Sequence, residues 1–136
     1  MESSIRRREA NEQPLMGQIR HALEMRDVEA LADLYAEDAI LEEVSSLNPP
    51  AHPIVVQGRE AILKQLRDEF LRDPVGGWHR EVKSTDIIDE METDEAVAFT
   101  EVRTYAAGDK VITQHLAHKR NGRIQHDRLV VARDSD

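Results

Sequence analysis

The chain reads as an α+β domain in which helices come first and a sheet of antiparallel strands then wraps over them. Three observations predict this. Apolar residues recur at helical spacing at Leu15, Ile19, Ala22 and Leu23, and again at Ile62, Leu63, Leu66, Phe70 and Leu71. From Trp78 onward the pattern reads as strands. Near the end, Asn121-Gly122 stands between two alternating runs, the strongest short hairpin signal in the chain.

The elements follow in order. Residues 1–13 are polar, carry Arg6-Arg7-Arg8 and are expected to form a solvated arm; residues 14–133 form a single domain. Pro14 suits the first turn of a helix. Asp27 is a natural N-cap for a second, short helix with Val28, Leu31, Leu34 and Tyr35 as its apolar stripe. The period changes at Ala39, where a strand leads to Glu42 and Glu43. Residues 45–53 hold three prolines and break regular structure. Ile54-Val55-Val56 is a short extended piece, and Gly58 precedes a helix that Asp73-Pro74 ends. Strands are then expected over Trp78–Asp89, Glu95–Tyr105, Lys110–Arg120 and Arg123–Arg133.

Composition narrows the class. A length of 136 residues is that of one ordinary domain. A hydrophobic share of 40% with 33% charged residues fits a folded, soluble protein, and nothing in the sequence suggests export, so a cytoplasmic location is expected. The net charge of −9 argues against nucleic acid and anionic membranes as partners. No apolar run approaches the roughly 18 residues of a membrane span. The absence of Cys excludes disulfides and thiolate metal sites.

Strand alternation sorts the later side chains. A two-residue loop at Asn121-Gly122 sets Arg120 opposite Arg123, and counting back places His118 opposite Gln125 and Leu116 opposite Asp127, on one shared face. His115 and His126 then fall on the other face, away from His118. Phe99, Glu101 and Arg103 share a face of the preceding strand.

The runs L-A-D-L-Y-A-E-D-A-I-L-E-E, G-R-E-A-I and N-G-R-I resemble the nuclear transport factor 2-like superfamily, and within it the SnoaL-like and ketosteroid-isomerase-like proteins of bacteria. The resemblance implies a cone-shaped, curved antiparallel sheet closed by helices (a cystatin-like α+β barrel), with an internal pocket for a small, partly apolar molecule and homodimers formed through the sheet. It implies that Phe99, Glu101, Arg103, Leu116 and Asp127 line the cavity and that Glu43 matches the family's general base. Partial desolvation would suit such a base by raising its pKa. At the positions of the usual oxyanion donors, a Tyr and a protonated Asp, this chain has Ile19 and Leu116. The set Glu101, Arg103 and Asp127 is reminiscent of the limonene epoxide hydrolases of the same superfamily.

Each residue also has a structural reading. Glu43 is either a base or a solvated strand end. Glu101 and Arg103 are either part of a site or a structural ion pair, since neither can be buried alone. Asp127 and His118 are the candidate acids; Trp78 and Tyr35 are candidate pocket-wall or core residues. Among six His no metal-binding pattern is evident, and no cofactor is expected. Two functions stay open: a cofactor-free isomerase, lyase or epoxide-hydrolase-type enzyme using carboxylate chemistry, and a non-catalytic dimer that binds a ligand or a protein.

Overall fold

The computed structural model describes residues 14–71 and 82–134. Its elements are α1 (Leu15–Met25), α2 (Val28–Ala32), β1 (Tyr35–Val44), β2 (Ile54–Gln57), α3 (Arg59–Leu71), β3 (Val82–Glu92), β4 (Ala96–Tyr105), β5 (Lys110–Arg120) and β6 (Arg123–Arg133). The N-terminal arm, Trp78 and the side chains of Phe70 and Leu71 lie outside the described residues.

The strands form one curved sheet in the order β2-β1-β6-β5-β4-β3. Every neighbouring pair is antiparallel except β1 and β6, which run parallel. The expected all-antiparallel sheet is therefore mixed. Parallel neighbours need a long crossover, and here α3 and the β2–β5 strands supply it between β1 and β6. The sheet does not close into a barrel: β2 and β3 are its edges.

The helices cover one face of the sheet. Leu15, Met16, Ile19 and Leu23 of α1, Leu31 of α2, and Ile62 and Leu66 of α3 pack on Ala39, Leu41, Val97, Phe99, Ala117 and Ile124. Burying these chains is the main drive for closing helices on sheet. Asp27 caps α2 as expected, accepting a hydrogen bond from the Ala30 N–H at 3.0 Å. That helix stops at Ala32, however, and Tyr35 already belongs to β1. The start of β6 draws it there: the Ile124 N–H donates to the Leu34 carbonyl at 2.8 Å, and the Arg123 guanidinium donates to the Asp33 carbonyl. Tertiary pairing overrides the local helical pattern.

The hairpin turns at Asn121 (φ 54°) and Gly122 (φ 76°), the two positive values that a tight primed turn requires. Arg120 pairs with Arg123 as expected.

Helix α1 has no side-chain cap of its own at Pro14. Glu92, at the end of β3, takes that role, accepting from the backbone N–H groups of Leu15 and Met16, each at 3.0 Å. Lys119 Nζ donates to the same carboxylate at 2.9 Å. Partial burial pushes the Glu92 carboxyl up, but Lys119 and the two N–H groups outweigh it and hold it below the usual glutamate range. Glu92→Ala is expected to cost about 1–2 kcal/mol in urea unfolding, as loss of a helix cap does. With the folded pKa depressed, this contribution is present above about pH 4.3, the unfolded value. It fades as pH falls through the folded pKa, so the gap between wild type and variant should narrow in acid.

Candidate functional site

A β-bulge decides which side chains face the helices. The β5–β6 register shifts between His118 and Lys119: Lys119 pairs with Ile124, but His118 pairs with His126, leaving Gln125 as the extra residue. Beyond it every face is exchanged relative to simple alternation. Ala117 lies opposite Asp127 and His115 opposite Leu129, and these four point inward. His118 and Leu116 point outward; Leu116 is 42% exposed. The expectation that Leu116 lines the cavity and that His118 stands near Asp127 is thus corrected, and His115, expected on an outer face, is inside.

The inward side chains enclose a cavity of about 220 Å³ between the sheet and the three helices. The ladder gives it a depth axis. Leu41, Asp127, Ala117 and Val97 form one row; Glu43, Leu129, His115 and Phe99 the next; Val131, Thr113 and Glu101 follow; Arg133, Val111 and Arg103 come last.

In the deeper part Asp127 is 2% exposed. A carboxylate so buried must be satisfied by partners. The Tyr35 hydroxyl donates to Asp127 Oδ2 at 2.6 Å, and His115 Nδ1 lies 3.3 Å from Oδ1 and 3.4 Å from Oδ2. The His115 ring stacks on Phe99 with centroids 4.3 Å apart. Burial alone would push the imidazole down; the charge and hydrogen bond of Asp127, aided by Glu101 and Glu69, outweigh it and hold His115 above its usual value. Burial, the Asp127 charge and the hydrogen bond to it raise Tyr35 well above the ordinary phenol. The cluster therefore favours the charged form of the imidazole and the neutral form of the phenol around one carboxyl group. Nδ1 is engaged with Asp127, which leaves Nε2 as the ring's remaining donor.

The outer rows are more polar. Glu101, 5% exposed, lies with Oε1 3.5 Å from Arg103 Nε. The Thr113 hydroxyl is buried with no hydrogen-bond partner among the described residues. Glu43 faces the cavity from β1, and Glu69 reaches it from the last turn of α3. Glu69 is exposed to solvent at the rim. Desolvation, then the charge and hydrogen bond of Glu43, push Glu69 up to about 7, with Gln65 and Arg103 acting in the opposite sense.

Of the residues singled out in the sequence, Glu43, Tyr35, Phe99, Glu101, Arg103 and Asp127 share this cavity. His118 and Leu116 do not, and Trp78 is outside the described residues. Four of the cavity's ionisable groups were missed: Asp68, Glu69, His115 and Arg133. His115 was hidden by the bulge. Glu69 had a signal: Asp68-Glu69 ends α3 with no basic residue in the last turn, the wrong sign for a helix C-terminus. Among the described residues no group of three His, Cys, Asp or Glu is placed to hold a metal ion, and no helix is long and apolar enough to cross a membrane.

A curved six-stranded sheet with helices on one face is the architecture of the NTF2-like and cystatin-like folds. The SnoaL-like domain pattern matches residues 18–127, and the chain belongs to that family. Among solved structures it is similar to an NTF2-like protein of unknown function from Mesorhizobium loti (19% identity, TM-score 0.67, 87% of this chain and 88% of that one). It is also similar to an uncharacterised protein with a cystatin-like fold from Silicibacter pomeroyi (14%, 0.65, 92% and 78%). A third is a protein named as a candidate ketosteroid isomerase from Kribbella flavida (17%, 0.64, 87% and 75%). At these identities the likeness shows the fold alone. No curated protein matches the chain.

The imidazole provides a direct check on the deep cluster. In Asp127→Asn the partner charge is gone, desolvation prevails, and His115 should titrate below about 6.5 instead of above it, as read by NMR of the ring resonances.

Proposed function

We propose that this protein is a cofactor-free acid–base enzyme that moves protons on a small, partly apolar, oxygen-bearing molecule, an isomerase or lyase by reaction class. The observation that carries the proposal is the Tyr35–Asp127–His115 cluster facing the same cavity as Glu43. Glu43 is the general base. His115, not His118, is the acid: its Nε2–H is the donor for a substrate oxygen, and Asp127 with Tyr35 fixes the ring and keeps it charged. This supplies the electrophilic partner whose usual positions hold Ile19 and Leu116. Arg103 and Glu101 orient the substrate at the outer rows. Asp127 contacts Tyr35 and His115 while Arg103 contacts Glu101, which weighs against the epoxide-hydrolase arrangement. A cavity of about 220 Å³ lies below the roughly 300–1,000 Å³ that holds drug-sized ligands, so the substrate is of single-ring size. Ile112, Leu116 and Val130, exposed on the outer face of the sheet, suit a homodimer through that face.

A second reading rests on the same satisfied groups: with Asp127 and Glu101 already partnered, the cavity would serve a non-catalytic binding domain. Glu43→Gln separates the two. It is expected to lower kcat/KM by at least about 100-fold on any small carbonyl compound that the wild type turns over, the scale of a lost general base, with Tm little changed. Full activity in the variant removes Glu43 from the mechanism. Arg103→Leu should lower stability by more than about 1 kcal/mol, because it strands the Glu101 carboxylate.

A further inference from the structure

We propose that the outer rows of the cavity form a subsite for a hydroxyl group, so that the ligand is a small hydroxy ketone. Its carbonyl oxygen meets His115, and a hydroxyl at its far end sits among Thr113, Glu101 and Arg103. The inference rests on the acid–base reading above for the carbonyl end, and it names the class of molecule that the site takes.

The starting observation is a buried hydroxyl without a partner. Thr113 is 3% exposed and lines the cavity, and its Oγ1 makes no hydrogen bond among the described residues. Such groups are uncommon in folded proteins, because a buried hydroxyl has given up its bonds to water. The ladder shows what is unusual here. Thr113 stands directly opposite the buried Glu101. Side chains so placed are neighbours, with Cβ atoms about 4.5–5.5 Å apart. The hydroxyl therefore has a strong acceptor beside it and does not bond to it. A second group repeats the pattern. Arg103 Nε is buried without a hydrogen-bond partner, 3.5 Å from Glu101 Oε1, at the outer limit for such a bond. Two unused polar atoms and one carboxylate thus share the outer rows of one cavity.

Chemistry selects what fits among them. A carboxylate beside a guanidinium only accepts, the Arg103 Nε–H only donates, and the Thr113 hydroxyl does either. A group that serves all three must both donate and accept. A hydroxyl does so: it donates to Glu101 and accepts from Arg103 or Thr113. A ligand carboxylate has nothing to donate to Glu101, and it would enter a lining that already holds Glu43, Asp68, Glu69, Glu101 and Asp127. An ammonium accepts nothing and would face the Arg103 charge. A plain hydrocarbon end leaves all three groups unmet.

The spacing agrees with a single ring. His115 and Thr113 both face the cavity from β5, two residues apart, which is about 7 Å along a strand. Oxygens at opposite ends of a six-membered ring span a similar distance. Leu129 pairs with His115 and Val131 with Thr113, so β6 gives the ring an apolar wall between its two polar ends.

The test uses the whole protein and three probes: cyclohexanone, 4-hydroxycyclohexanone and 4-oxocyclohexanecarboxylate. Affinities are read by NMR titration of the protein. The hydroxy ketone is expected to bind at least about tenfold tighter than cyclohexanone, and the carboxylate more weakly than either. Thr113→Val keeps the shape and removes the hydroxyl. It should cut the preference for the hydroxy ketone at least about threefold, and Thr113→Ser should keep it. The Tm of Thr113→Val should not fall, since no bond within the protein is lost. Equal binding of cyclohexanone and the hydroxy ketone to the wild type means that water fills the outer rows, and it overturns the subsite. Tightest binding of the carboxylate, or binding of none of the probes, overturns it as well. So does a preference that survives in Thr113→Val, or a lowered Tm in that variant, which assigns the hydroxyl a structural bond. Exchange of the α-hydrogens of the same ketones in heavy water reads the acid–base chemistry separately. Preference without exchange keeps the subsite and overturns the catalytic reading; exchange without preference does the reverse.

Discussion

The arrangement of the interior depends on one buried carboxylate. Asp127 is 2% exposed, and its cost in that environment is met only because Tyr35 and His115 both reach it. Each partner imposes a condition on the fold. Tyr35 must be in the strand, not the helix, for its hydroxyl to point across the sheet, and the backbone bond from Ile124 to Leu34 holds it there. His115 must face inward, which requires the extra residue Gln125 on β6. Without that bulge, Asp127 would meet Leu116 and have no charged partner on β5.

The rim answers a different problem. Five carboxyl groups and three cations line the cavity. Charge is balanced pairwise in two places: Asp127 against His115 in the deeper part, and Glu101 against Arg103 in the outer rows. Glu43 and Glu69 add two further carboxyl groups to the same lining, from β1 and from α3.

How much of this could be read from the sequence follows from the range of each signal. The hairpin at Asn121-Gly122, the cap at Asp27 and the helix after Gly58 are set by nearest neighbours, and they were legible. Glu43 was legible through the resemblance of A-I-L-E-E to a family base. The bulge was not: alternation counted from the hairpin is valid only while every residue pairs, and one unpaired Gln125 exchanges His115 for Leu116 and His118. Tyr35 carried the pattern of a helix, and a strand distant in sequence overrode it. Glu69 could have been suspected from its place near the helix end, but no periodicity connects it with the cavity-facing residues of the sheet.

Helix α1 ties these features to the far edge of the sheet. Its Ile19 and Leu23 form part of the cavity wall, so their position sets the cavity's width. That helix is anchored not by its own cap but by Glu92, two strands beyond β5, which in turn holds Lys119 beside the bulge. The residue next to the register shift is thus bound to the carboxylate that seats the wall opposite. The same contact opposes slippage of β5 against β6 and tilting of α1 away from the sheet. Slippage would separate His115 from Asp127 and tilting would open the wall over them, so the deep cluster depends on a polar contact that lies outside the cavity.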